Sequence, residues 1–373
     1  MSRQHHQLPD FPWDSLADAA RRAGEHPGGL VDLSVGTPVD AVAPVIQRAL
    51  TSAAAEPGYP ATWGTPTLRD AVVAAMARRY GLHGLQPDAV LPTIGSKELI
   101  AWLPTLLGLG ANDTVVVPEL AYPTYEVGAK LAGAQVIRAN GLTSLGPATV
   151  GSGRPAMLFL NSPSNPTGAV LPAAHLRKVV DWARERGTIV VSDECYLGLA
   201  WETGDSAPVS VLDPEVNGGR LDGLLAVHSL SKTSSLAGYR AGFVTGDAAL
   251  VAELLEVRKH AGMIVPRPVQ AAMTAALTDD GHVERQRELY RRRRARLLPA
   301  VQAAGFRVEH SEAGLYLWAT CAQPCRESVA WFAERGILVA PGEFYGPSGR
   351  QHVRIALTAT DERVEAAAAR LQR

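Results

Sequence analysis

What most restricts the fold of this chain is a long alternation of short apolar runs with helical stretches. From about Val45 onward, strands are predicted at residues 90–94, 114–117, 135–138, 156–160, 188–192, 224–228 and 241–245. Helical patterns fill most of the gaps, as in Thr67 to Tyr80 and Pro172 to Arg186. Strand and helix in turn imply an α/β fold, with one largely parallel sheet covered by helices on both faces. Ligands of such sheets bind beyond the carboxyl ends of the strands. The polar residues able to do chemistry sit at those ends: Gly95-Ser96-Lys97, Tyr122 a few residues past Val117, Asn165 past Leu160, Asp193 directly after Ser192, and Ser229 after His228. These separate placements converge on one shared site.

The densest of them begins with an apolar run, Leu224 to Val227, that stops at His228. It is followed by Ser229, Ser231, Lys232 and, eight residues past the lysine, Arg240. Two hydroxyls and a guanidinium can hold a phosphate dianion, while an amine can condense with an aldehyde. A lysine doing this must be neutral when it attacks, so burial or a nearby cation should lower its pKa. Ser229 and Lys232 also fit the Ser-x-x-Lys of penicillin-binding enzymes. That reading lacks its companions: no Lys-Thr-Gly occurs, and Ser192-Asp193-Glu194 lies upstream without the required Asn.

Composition removes other classes. Of 373 residues, 46% are hydrophobic and 20% charged, and the formal net charge is -1, which describes a soluble globular protein with no nucleic-acid partner. The run Arg291 to Arg294, flanked by Arg287 and Arg296, is interleaved with Glu284 and Glu288 and reads as a solvated helix face. Cys195, Cys321 and Cys325 make no disulfide framework. Cys321 and Cys325 lack a second Cys/His pair, so no metal site is expected. No window approaches transmembrane length and the N-terminus has no apolar leader, so a cytoplasmic protein without a membrane partner is expected.

Three regions are expected. Residues 1–44 form an arm, with Phe11-Pro12-Trp13 as anchor, a helix over Ser15 to Ala23, a strand over Leu30 to Leu33 and a turn at Gly36. Residues 45–280 form the large domain. Residues 281–373 form a smaller α+β domain, which the arm joins in space. Its elements are a charged helix from Val283 to Ala303 and strands Phe306 to Glu309, Leu315 to Trp318, Ile337 to Ala340 and Val353 to Leu357. Helices from Arg326 to Glu334 and from Asp361 complete it.

Asn-Ser-Pro-Ser-Asn-Pro-Thr-Gly (161–168), Ser-Asp-Glu-Cys-Tyr (192–196) and Ser-Leu-Ser-Lys (229–232) with Arg240 occur in that order. Together they resemble the motifs of pyridoxal-phosphate aminotransferases of the aspartate aminotransferase superfamily, fold type I. The resemblance implies a seven-stranded, mostly parallel sheet plus the smaller domain, with pyridoxal 5'-phosphate as cofactor. It implies that Lys232 carries the cofactor and shuttles the proton, and that Asp193 keeps the pyridine nitrogen protonated, which the ring needs as an electron sink. Tyr196 and Asn165 would donate to the phenolic oxygen, and Tyr122 would stack on the ring. Ser96, Lys97, Ser229, Ser231 and Arg240 would bind the phosphate, the first two at a helix N-terminus. Tyr59 would reach the phosphate of a neighbouring subunit, so a homodimer is implied. Arg354 would grip the substrate α-carboxylate as a fork, with the Gly36 turn and Asn165 beside it.

At whole-chain level the similarity is to N-succinyl-L,L-diaminopimelate aminotransferases. It is carried by residues 10–16, 31–40, 121–127, 192–199 and 309–320. It implies glutamate as donor and amino-acid and 2-oxo-acid substrates. Another aminotransferase specificity (alanine, aspartate or aromatic) and a carbon–sulfur lyase are the alternatives. The arm near Gly36 and the loop from Gly262 to Pro268 are the candidate wall of the distal pocket.

Overall fold

The computed structural model describes residue 8 and residues 11–141, 154–201 and 207–372. A short strand β1 (Val31–Asp32) precedes the strands of the main sheet. These are β2 (Val90–Ile94), β3 (Thr114–Val117), β4 (Gln135–Arg138), β5 (Met157–Asn161), β6 (Ile189–Asp193), β7 (Leu224–Ser229) and β8 (Ala241–Gly246). They form one seven-stranded sheet in the order β2-β8-β7-β6-β5-β3-β4, with β8 antiparallel to both its neighbours.

Both faces of the inner strands β5, β6 and β7 are buried, which is why they read as largely apolar runs, while edge strand β4 is only half-buried. Leu158, Leu160, Val190 and Ala226 face one core with the helices Pro66–Tyr80, Ala173–Arg186 and Arg267–Thr278. Met157, Phe159, Val191 and Leu225 face the other, with Gly95–Leu106, Thr124–Leu131 and Ala248–Ala261. Neighbouring residues of one strand thus belong to different cores, the two-residue period of a pleated strand.

The C-terminal part holds β9 (Arg307–Glu309), β10 (Tyr316–Thr320), β11 (Ile337–Leu338), β12 (Ala340–Pro341) and β13 (His352–Ala356). A four-stranded sheet runs β12-β13-β10-β9. The run Ile337 to Ala340, expected as one strand, divides at Val339. β11 pairs in parallel with β1 of the arm, while β12 pairs with β13. Leu16, Val31 and Leu33 accordingly bury in one cluster with Phe332, Ile337, Ile355 and Leu371. The expected arm helix is a 3-10 turn, Pro12–Leu16, followed by α-helix Ala17–Gly24.

The arginine-rich helix spans Gly281–Ala303. Arg287 pairs with Glu284 and Arg291 with Glu288 on its exposed face, as expected. Arg293 departs from that reading, because its position turns it inward, where it is 3% exposed. Among the described residues, no helix is long and apolar enough to cross a membrane.

Candidate active site

The parallel strands β2, β5, β6 and β7 end on the same edge of the sheet, and the reversed strand β8 begins there. Topology alone therefore brings Gly95, Asn161, Asp193, Ser229 and Arg240 together. Beyond them lies a cavity of about 630 Å³, lined by Gly36, Ser96, Lys97, Tyr122, Asn165, Asp193, Tyr196, Ser229, Ser231, Lys232, Arg240 and Arg354. Tyr59 is not in that lining; its side chain projects from the surface, 95% exposed. The loop from Gly262 to Pro268 does not line the cavity either. It sits by Tyr59 instead, with Arg267 Nη2 donating to the Tyr59 carbonyl at 3.2 Å.

Lys232 lies in a single-turn helix, Leu230–Thr233, capped by Ser229, whose Oγ accepts from the Ser231 amide at 3.1 Å. That bond uses an oxygen lone pair and leaves the Ser229 hydroxyl proton free to donate. Lys232 Nζ donates to the Gly36 carbonyl. Burial, reinforced by Arg354 and Arg240, holds this amine below the usual lysine range. A Cβ at Gly36 would overlap the Tyr316 hydroxyl, so the turn closes only with glycine.

Asp193 is buried, and burial pushes its carboxyl above the usual range. Tyr125 Oη donates to it at 2.7 Å and the Cys195 amide at 3.2 Å. Asn161 braces the same corner. Its Nδ2 donates to the Asp193 carbonyl at 2.9 Å, and its Oδ1 accepts from the Asn165 amide at 2.7 Å. Tyr196 and Tyr316 share a hydroxyl hydrogen bond of 3.0 Å.

Arg354, in the middle of β13, is 3% exposed. Its Nη1 donates to Asn165 Oδ1 at 2.9 Å and its Nη2 to the Ser34 carbonyl at 2.6 Å. The guanidinium lies 4.0 Å from the Tyr316 ring centroid, and its buried Nε has no partner among the described residues. Stacked and held this way, the fork keeps N–H donors for a carboxylate. Asn165, having given its oxygen to Arg354, keeps its amide nitrogen for the cavity.

At the opposite corner the helix Gly95–Leu106 opens without a side-chain cap. Gly95 has φ +73°, and a Cβ there would overlap the Arg240 guanidinium. Lys97 is exposed, with its ammonium 5.5 Å from the ring of Phe11, which with Trp13 lines the mouth of the cavity.

Sequence reasoning missed Tyr316, Tyr125 and Asn161. Tyr316 stands in an apolar stretch and reads as core, while Tyr125 follows Tyr122 in Ala-Tyr-Pro-Thr-Tyr and carries no signal of its own. Asn161 opens the Asn-Ser-Pro-Ser-Asn motif, which was the available signal.

This donor set fits pyridoxal 5'-phosphate. A buried carboxylate among neutral donors favours a cationic ring nitrogen, and uncapped helix amides beside Arg240 favour a dianion. An amine of lowered basicity lies between them, suited to an aldehyde.

Comparison with known proteins agrees. A profile of the family "Aminotransferase class I and II" matches residues 29–371. A probable aminotransferase of Mycobacterium tuberculosis is 70% identical over 98% of this chain and 85% of its own length. The 4-dedimethylamino-4-oxo-anhydrotetracycline transaminase OxyQ of Streptomyces rimosus is 57% identical, over 98% of this chain and 99% of its own. Among solved structures, a probable N-succinyldiaminopimelate aminotransferase of Thermus thermophilus superposes with a TM-score of 0.86 at 28% identity, covering 97% of this chain and 99% of the other. The chain belongs to the class I and II aminotransferases, and it is a pyridoxal-phosphate-dependent transaminase of the fold-type-I architecture.

Proposed function

We infer that this aminotransferase moves an amino group between N-succinyl-L,L-diaminopimelate and 2-oxoglutarate, with glutamate as the donor in the reverse direction. The observation that carries an amino-acid substrate is the buried, Tyr316-stacked Arg354 fork, held by Asn165 and Ser34 beside Lys232. Both partner acids present an α-carboxylate to that fork. The succinylated identity draws its support from the likeness to the Thermus protein.

When bound, pyridoxal 5'-phosphate supplies an aldehyde to capture the amine and a ring to take up the electron pair released at Cα. The chain's own residues do the rest. Arg240, Ser96, Ser231 and the Ser229 hydroxyl would hold the phosphate. Asp193 would keep a proton on the ring nitrogen, and Tyr122 would cover the ring face. Tyr196 Oη and the Asn165 amide nitrogen would donate to the phenolic oxygen. Arg354 fixes the carboxylate so that the Cα hydrogen points at Lys232 Nζ. The neutral Lys232 Nζ would take the Cα proton and deliver it to the carbon that was the cofactor's aldehyde, on the far side of the substrate nitrogen. The two half-reactions use one site in turn, so kinetics are ping-pong.

The second reading is a ring ketone as acceptor, favoured by Phe11 and Trp13 at the cavity mouth and by the likeness to OxyQ. Lys97 beside Phe11 suits the first reading, because its ammonium can meet a second carboxylate. The deciding experiment compares kcat/KM for N-succinyl-L,L-diaminopimelate with those for alanine, aspartate and phenylalanine, each with 2-oxoglutarate. Polycyclic ketones are then tried as acceptors from glutamate. A simple amino acid or a ketone that matches the succinylated substrate overturns the proposed specificity.

A further inference from the structure

The arginine run left one residue without a surface role. On the helix Gly281–Ala303, residues 286, 290 and 293 share one face by helical spacing. Arg293 Nη1 donates to Asp40 Oδ2 at 2.9 Å, its Nη2 to Asp40 Oδ1 at 2.5 Å, and its Nε to Asp361 Oδ1 at 2.8 Å. Gln286 Nε2 donates to the same Asp40 at 2.8 Å, and Gln286 Oε1 accepts from Ser235 Oγ at 3.2 Å. Between them the fully buried Tyr290 donates from Oη to the Lys232 carbonyl at 3.1 Å.

This face holds two strands of the site at once. One is the lysine segment, gripped at Lys232 and Ser235. The other is the arm, gripped at Asp40, four residues beyond Gly36. Gly36 in turn meets Lys232 through its carbonyl, and Ser34 meets Arg354. Gly36 also closes on the Tyr316 hydroxyl without room for a Cβ, so a small shift of the arm is felt at once.

We propose that Asp40, Arg293 and Gln286 form a latch that positions the Gly36 turn, setting the distance between Lys232 and the carboxylate held by Arg354. They are positioning residues: none of them lines the cavity. The proposal rests on reading Lys232 and Arg354 as the working pair. Loosening the latch moves the Ser34 and Gly36 carbonyls, so both substrate grip and the reach of the amine suffer.

Truncating either charge would strand a buried partner, so the test uses Asp40→Asn in the holoenzyme. Turnover, the KM for glutamate and the calorimetric Kd for succinate, an unreactive dicarboxylate, are measured beside the melting temperature. The expected result is a rise of roughly 10- to 100-fold in KM and in the succinate Kd, the scale of a small misplacement of reacting groups. Gln286→Met should shift both in the same direction by less, and it decides alone should Asp40→Asn not fold. Asp280→Asn loosens the pair with Arg78 and Arg79 outside the cavity lining. It should lower melting temperature and leave KM and the succinate Kd unchanged. Wild-type KM and Kd in Asp40→Asn and Gln286→Met, or equal shifts in Asp280→Asn, overturn the latch. Retained turnover in Lys232→Ala would instead overturn the reading of the site on which the latch rests.

Discussion

Asp193 accepts hydrogen bonds from the Tyr125 hydroxyl and from the amide and thiol of Cys195, all neutral, so the charge that matches it must come from a ligand. Asp193→Asn should therefore still take up cofactor through the phosphate corner yet be nearly inactive; normal turnover would make Asp193 structural. Lys232→Ala should lose the visible absorbance of lysine-bound cofactor and slow turnover by roughly 10²–10⁴-fold, the scale of lost general-base catalysis. Borohydride labelling of another lysine would contradict it. For Arg354→Lys the geometry supplies the number. One ammonium replaces a stacked fork, and losing a charge-assisted hydrogen bond costs about 1.5–3 kcal/mol, or roughly 10- to 150-fold in affinity. Unchanged Michaelis constants for donor and acceptor would count against this role. Lys232 and Asp193 are legible from spacing because a strand end must expose them. Tyr316 and Arg293 are not. A tyrosine in an apolar strand looks like core, and four successive arginines place one on nearly every face of a helix.

The loop and helix that follow β2 illustrate what an element contributes. Gly95 has to be left-handed and to leave room for Arg240, so Gly95→Ala should weaken cofactor retention while the sheet still forms. Dialysis against buffer, with bound cofactor read by absorbance, checks it. Behind β6 and β7 a second buried group responds to pH. Glu194 accepts from Ser210 Oγ and the Val211 amide, and burial pushes it up to about 7 from 4.5, while burial holds His228 neutral down to about 3. The folded chain then keeps a proton that the unfolded chain releases above 4.5. Glu194 thus contributes stability below that value and loses it as pH rises through about 7, up to about 3 kcal/mol. Glu194→Gln should flatten this fall, seen as melting temperatures of the two proteins converging or crossing between about pH 5 and about pH 8. The inner strands of the main sheet were legible because burial on both faces keeps them largely apolar, and edge strand β4 was legible from its Val136-Ile137 pair between polar ends. The division at Val339 was not, since it depends on β1, far away in sequence.

On the scale of the whole molecule, Tyr59 is, among the described residues, the one most at odds with a lone chain, a large aromatic almost wholly in solvent. It is proposed to complete the phosphate site of a second copy. Mixing inactive Lys232→Ala chains with an inactive Tyr59 variant should then restore activity through one intact hybrid site. No recovery despite proven subunit exchange would place Tyr59 elsewhere. The pairing of β1 with β11 has a consequence for the order of assembly. Val31 and Ile337 are roughly three hundred residues apart, a closure among the most distant a chain of this size can make. At a synthesis rate of about 5–20 residues per second, the arm waits roughly 15–60 s for its partner strand to be made. Through that interval Val31 and Leu33 have no core to enter. The sheet edge with its lysine is expected to form first, while the carboxylate end, built from Ser34, Gly36 and Arg354, waits for the last strands. We expect the nascent enzyme to meet its cofactor before it is able to hold a substrate.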